Sequence, residues 1–170
     1  MHLERLTAPS HPLYRRAMTL YQQSFPLHEQ REAPSQEAIL ADDAYHFDLI
    51  WEEKTFTGLI LYWETMDFIY VEHLCIAQEK RGKGCGQQVL SFLKNRQKPI
   101  VLEIDPPSDA ISIRRKGFYQ RCGFTANPYP HVHPPYHRGR QGHPLLLMSC
   151  PRPSPRKNTI SSKPFCKPGS

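Results

Sequence analysis

Three apolar runs follow one another between residues 45 and 77 with almost nothing between them: YHFDLIWE, TFTGLILYWE and DFIYVEHLCIA. This stretch restricts the fold more than any other. The first run alternates Tyr45, Phe47, Leu49 and Trp51 against His46 and Asp48, the pattern of a half-buried strand. EEK makes the turn into the second run, and the third is rich in β-branched and aromatic residues. Connections this short cannot carry a parallel crossover, so the runs must form an antiparallel meander.

The flanks have a different period. MHLERLTAP reads as a short first strand, and Leu13, Ala17, Leu20, Tyr21 and Phe25 recur at helical spacing before Pro26 ends the helix. Pro34 can open a second short helix, SQEAILA, in its first turn. After the meander, GCGQQVLSFLKNRQ is helical, PIVLEID is a buried strand, and SDAISIRRKGFYQRCGF is a second amphipathic helix ended by Gly123. FTANPYPHVH and HPLLLMSC read as two final strands joined by PPYHRGRQG. The expected fold class is α+β, with helices packed on one mostly antiparallel sheet.

A net charge of +6 would suggest nucleic acid if it were spread over the chain, but it is not. The last twenty residues hold five of the 22 basic residues and no acid, which leaves residues 1–150 with 17 bases against 16 acids. That segment also holds five of the 17 prolines, and Ile160 and Phe165 are its only large apolar residues. Residues 1–150 are therefore expected to form one domain, and 151–170 a disordered basic Pro/Ser-rich tail. The core lacks a basic stripe interleaved with aromatics, so nucleic acid is not the expected partner. Five cysteines without a CxxC spacing, no leader pattern and no bilayer-length apolar run point to a reduced cytoplasmic protein that does not enter a membrane.

The stretch QEKRGKGCGQQVL lies between the third strand and the next helix. Gln87 and Gln88 follow its last glycine, where a Walker A loop needs Lys followed by Ser or Thr. Gln87 and Val89 also fall where a dinucleotide fingerprint needs its third small residue. What remains is R-x-x-G-x-G, Arg81 to Gly86, whose glycines let backbone N–H groups close on an anion at a helix start.

This run after a strand, with FYQRCGF on a second helix further on, resembles the GNAT superfamily of acyl-CoA-dependent N-acetyltransferases over about residues 67–125. SFPLHEQRE and NPYPHVHPPY are similar to a bacterial branch of that family with poorly assigned substrates. The resemblance implies a GNAT-like mixed, mostly antiparallel sheet flanked by helices, with acetyl-CoA as cosubstrate and no metal. The backbone of Arg81, Gly82, Lys83, Gly84, Cys85, Gly86 and Gln87 would hold the pyrophosphate. Leu74, Cys75 and Ile76 would pair with the pantetheine arm, and a backbone N–H there would stabilise the oxyanion. Ser112 stands where the family usually has an asparagine contacting pantetheine.

An alkyl amine must lose a proton before it attacks a thioester directly in a ternary complex. Glu72 matches a position where some family members carry a glutamate suited to that task, and Glu103 on the next strand is its rival. Period-two geometry does not decide between them. Tyr119 matches the tyrosine that protonates the leaving thiolate. Glu29, Arg31 and Glu32 on one side, with His133 and Tyr136 on the other, are the expected acceptor walls for a small-molecule or peptide amine. A homodimer is a family-level expectation. The alternatives are a CoA-binding module without catalysis and a nucleic-acid binder acting through its basic tail. Cys75 and Cys85 have no Cys–His–acid arrangement that would make either a nucleophile. His131, His133, His137 and His143 lack a neighbouring acidic or cysteine ligand in sequence, so the reading is a pocket rim rather than a metal centre.

Overall fold

The meander is present as β2 (Tyr45–Glu52), β3 (Thr55–Glu64) and β4 (Ile69–Ile76) in a computed structural model that describes residues 1–151. The expected basic tail thus lies almost wholly outside the described residues. β1 (His2–Arg5) pairs antiparallel with β2, and β5 (Ile100–Ile104) runs parallel to β4. The sheet continues through β8 (His143–Cys150) to β6 (Thr125–Ala126), in the order β1-β2-β3-β4-β5-β8-β6. β7 (His131–His133) also pairs with β8. Only β4 and β5 are parallel, so the sheet is mostly antiparallel, as expected.

Helices cover both faces. α1 (Tyr14–Ser24) and α2 (Ala33–Ile39) bury Ala17, Met18, Tyr21 and Ile39 against Phe47, Leu49, Leu59 and Leu61. Pro34 lies in the first turn of α2, where a missing N–H costs nothing. On the other face, α3 (Cys85–Lys94) and α4 (Ala110–Arg121) bury Val89, Leu90, Leu93 and Tyr119 against Ile60, Val71 and Leu102. α4 ends at Gly123, whose φ of +89° is the left-handed conformation that suits glycine.

Two sequence expectations change in detail. β2 is not half-buried: its polar phase lies under the α3/α4 face, where Asp48 accepts a 2.9 Å hydrogen bond from the Tyr62 hydroxyl and His46 stacks on the same ring. The expected strand 124–133 is broken into β6 and β7. The last ladder bond is Asn127 N–H to Leu147 O at 2.7 Å, after which the Asn127 side chain accepts from Tyr129 N–H at 2.9 Å. Pro128 and Pro130 have no N–H with which to continue the pairing.

The feature that matters for a site is where β4 and β5 part. Their pairing runs from Ile69↔Ile100 to Val71↔Leu102 and then stops. β4 continues against β3 as far as Gly58↔Ile76, while Glu103 and Ile104 of β5 pair with Leu147 and Leu146 of β8. The divergence begins beside a bulge: Leu61 faces His73 and Tyr62 faces Val71, which leaves Glu72 as the extra residue of β4. A bulge bends its strand and shifts its alternation. Ile69 and Val71 accordingly belong to the α3/α4 cluster before it, and Leu74 and Ile76 after it.

Candidate functional site

One side of the opening is the glycine loop. After a 3-10 turn at Gln78–Lys80, Gly82 and Gly84 take φ of +76° and +80°, and a side chain at either would meet nothing within 4 Å. The space above the loop is open. The first helical bond of α3 runs from Gln88 N–H to Gly84 O at 3.0 Å, so the N–H groups of Cys85, Gly86 and Gln87 precede it and have no partner within the helix. The first turn holds no acid of its own, and the nearby Glu52 carboxylate accepts from the Cys85 thiol at 2.9 Å. Arg81 Nε donates to Ile76 O at 3.0 Å and fastens the loop to the end of β4. Gly86 lets α3 approach α4, because a Cβ there would sit 3.0 Å from the Phe118 ring.

Across the sheet lies a pocket open to solvent. Its wall includes Glu29, Tyr70, Glu72, His73, Glu103, Asp105, Arg115, His133, Tyr136 and His143. Its carboxylates are held in different ways. Glu72, 1 % exposed, accepts a 3.0 Å bond from Arg31 Nη2, itself 5 % exposed, and the Tyr136 ring lies over that guanidinium. Burial disfavours the Arg31 charge, but the acidic groups around it, Glu72 first, hold its pKa above the ordinary value. Glu103 accepts from the Tyr70 hydroxyl at 3.0 Å, with His131 Nε2 3.3 Å and His133 Nε2 3.6 Å from its oxygens. Glu29 has its pKa raised by burial and then by the charge of Asp105. Asp105 is paired with Arg115 at 3.1 Å on the exposed rim.

The pocket gathers Glu29, Glu72, Glu103, His133 and Tyr136 from four separated segments. Arg31 stands behind Glu72, and Glu32 lies further out, 3.4 Å from His137. Leu74, Cys75 and Ile76 occupy the stretch of β4 that β5 has left. Tyr119 is 9 % exposed and packs edge-on between Phe118 and Phe124, with burial pushing its pKa up to about 12. Ser112 is engaged elsewhere: it closes a capping box with Asp109 at the start of α4, and its hydroxyl accepts from Asp109 N–H at 3.0 Å. Burial raises the Cys75 thiol to about 11, and burial followed by a 2.9 Å hydrogen bond to Glu52 raises that of Cys85. Neither is poised as a thiolate. No group of three or more His, Cys, Asp or Glu among the described residues could hold a metal ion. None of their helices is long and apolar enough to cross a membrane.

Sequence reasoning missed Tyr70, His73 and Arg115 as pocket residues. Tyr70 was within reach of it, being two residues before Glu72 on the same face of a strand. His73 shares that face only because of the bulge, for which VEHL carries no signal.

Comparison with known proteins accords with this arrangement. A family profile described as "Acetyltransferase (GNAT) domain" matches residues 43–126. A solved GNAT-family structure from Bacteroides thetaiotaomicron is 30 % identical, with a TM-score of 0.85 over 92 % of this chain and 90 % of its own. The protein YjbC of Bacillus subtilis (strain 168), whose own acetyltransferase assignment is provisional, is 35 % identical over 104 residues, or 59 % of this chain. The chain spans about half of that relative's length, 52 %. A GNAT acetyltransferase from Elizabethkingia anophelis with acetyl-CoA bound shares the fold at 14 % identity and a TM-score of 0.57, covering 87 % of this chain and 95 % of its own. The chain belongs to the GNAT acetyltransferase family.

Proposed function

We propose that this protein transfers an acetyl group from acetyl-CoA to a primary amine on a cationic small molecule or peptide, by direct attack in a ternary complex. The observation that carries this reading is the parting of β4 from β5, which opens a strand edge between the glycine loop and the acidic pocket. Acetyl-CoA bound in the same fold from Elizabethkingia anophelis supports the choice of cosubstrate. The N–H groups from Arg81 to Gln87 take the pyrophosphate, and the backbone of Leu74, Cys75 and Ile76 pairs with pantetheine and holds the thioester carbonyl.

Glu103 is the base. Glu72 is neutralised by Arg31, whereas Glu103 meets only neutral-capable partners, a phenol and two imidazoles. Tyr119 stays protonated throughout the neutral range, so it donates to the developing thiolate. Glu29, with Asp105 beside it, gives the acceptor side a negative field that draws an ammonium group and, with His133 and Tyr136, forms the wall around it. The test is release of CoA thiol from acetyl-CoA across a panel of amines, with mass detection of the product. Amide formation on cationic amines is expected. Saturable acetyl-CoA binding with no amine acetylated would refute the reading.

A further inference from the structure

Acetylation of an ammonium ion, R–NH3+ with acetyl-CoA giving the amide and CoA thiol, releases one proton, and that proton must leave the pocket. Glu103 is poorly placed to release it, being 11 % exposed. His133 is 5 % exposed and is no better outlet. His131 differs, because its side chain is 33 % exposed while its Nε2 is buried 3.3 Å from Glu103 Oε1. Both His131 Nε2 and Glu103 Oε2 are buried with no hydrogen-bond partner among the described residues, so neither atom is used up in holding the fold. A buried polar atom without a partner calls for an explanation, and His131 Nε2 faces Glu103 Oε1 across 3.3 Å, a distance a proton can cross.

The strand pairing explains why the two groups meet. Glu103 is opposite Leu147 on one edge of β8, and His131 is opposite Leu145 on the other. Leu145 and Leu147 are two residues apart, so all four side chains leave the same face of the sheet. The prolines that detach β7 from β6 place this short strand here.

We propose that His131 is the proton relay of the site, a role that rests on the acetyl-transfer reading. Glu103 takes a proton from the acceptor ammonium, leaving a free amine. The amine nitrogen forms the new bond to the thioester carbon, the C–S bond breaks, and the second nitrogen proton reaches the thiolate by way of Tyr119, which ends the step protonated as it began. Glu103 hands its proton to His131 Nε2, and the imidazolium releases one from Nδ1 to water or buffer on the exposed side. Tyr70 from β4 stays a neutral donor to Glu103, because burial and then the Glu103 charge push its hydroxyl well above the ordinary range. His133 from β7 approaches the other carboxylate oxygen.

The test uses two acceptors of nearly equal shape. n-Butylamine is protonated at neutral pH, like a lysine with its pKa of about 10.4. O-Propylhydroxylamine is already neutral and needs no base before attack. Thiol release from acetyl-CoA is followed with both, for the wild type, His131→Gln, and His131→Ala with and without added imidazole. Acetyl-CoA binding by each variant checks that it is folded. The expected result is a fall of about tenfold to a hundredfold in the ratio of kcat for n-butylamine to kcat for O-propylhydroxylamine, with KM unchanged. Imidazole should restore that ratio in His131→Ala. Equal losses with both acceptors, no loss, or no rescue would overturn the relay and leave the acetyl-transfer reading in place. A wild type that binds acetyl-CoA yet acetylates neither acceptor would overturn the relay together with the reading beneath it.

Discussion

Replacing Arg31 by Met leaves the Glu72 carboxylate buried without its cation. The pair is 5 % and 1 % exposed at 3.0 Å, so water gives the orphaned charge little help. Losing one partner of a buried ion pair costs about 3–5 kcal/mol. For a domain of this size each kcal/mol moves Tm by roughly 2–4 °C, so Arg31→Met should melt some 6–20 °C lower. That is a large part of a total stability of about 5–15 kcal/mol. Glu72→Leu should be nearly as harmful, since the guanidinium under Tyr136 keeps its charge. The double variant Arg31→Met, Glu72→Leu removes both charges and should recover most of the loss. The assay is urea unfolding of all four proteins as a double-mutant cycle. Additive losses, with little effect from Arg31→Met alone, would show that Glu72 is not committed to Arg31. They would also remove the reason for assigning the base to Glu103.

Three further outcomes are expected. A Cβ on Gly58 would lie 2.3 Å from Cys75 O and 3.1 Å from the Ile76 Cα, so Gly58→Ala must push β4 aside. It should destabilise by about 1–3 kcal/mol and weaken acetyl-CoA binding, both readable from urea midpoints and calorimetry. Tyr119→Phe should lower kcat about a hundredfold while KM and Tm barely move, because the ring keeps its packing between Phe118 and Phe124. Glu29 binds its proton more tightly in the folded chain than in the unfolded one, through burial and then Asp105. That contribution is fully present below the ordinary glutamate pKa of about 4.3 and is lost as pH rises through the raised value. Glu29→Gln should therefore gain Tm relative to wild type at neutral pH and lose the gain in acid, and a difference that does not vary with pH would contradict this.

The parts of the molecule that could be read early depend on local pattern. Period-two runs joined by two- and four-residue turns can only be a meander. R-x-x-G-x-G is informative because both its glycines are required locally, Gly84 for a φ of +80° and Gly86 for the close approach to Phe118. Features that depend on register between distant segments were out of reach. The burial of Asp48 follows from a hydroxyl fourteen residues away. The bulge at Glu72 turns that carboxylate and His73 toward the same pocket, and no residue type in VEHL demands it. The choice between Glu72 and Glu103 needed the partner of each, which lies 41 residues away for Arg31 and 33 for Tyr70. The sequence places His131 on a rim, and only the pairing of β7 with β8 brings it to Glu103. The capping box of Ser112 with Asp109, three residues before it, is by contrast a local pattern.

The central claim is that the opening between β4 and β5, with the loop from Arg81 to Gln87, is a seat for acetyl-CoA. Calorimetric titration of acetyl-CoA into the protein tests it most directly, beside an Arg81→Glu, Gly84→Asp variant shown by circular dichroism to be folded. The account predicts saturable binding near one to one in the wild type, lost in the variant. Wild-type protein that takes up no acetyl-CoA at millimolar concentration, or a folded variant that binds it equally well, would contradict the account.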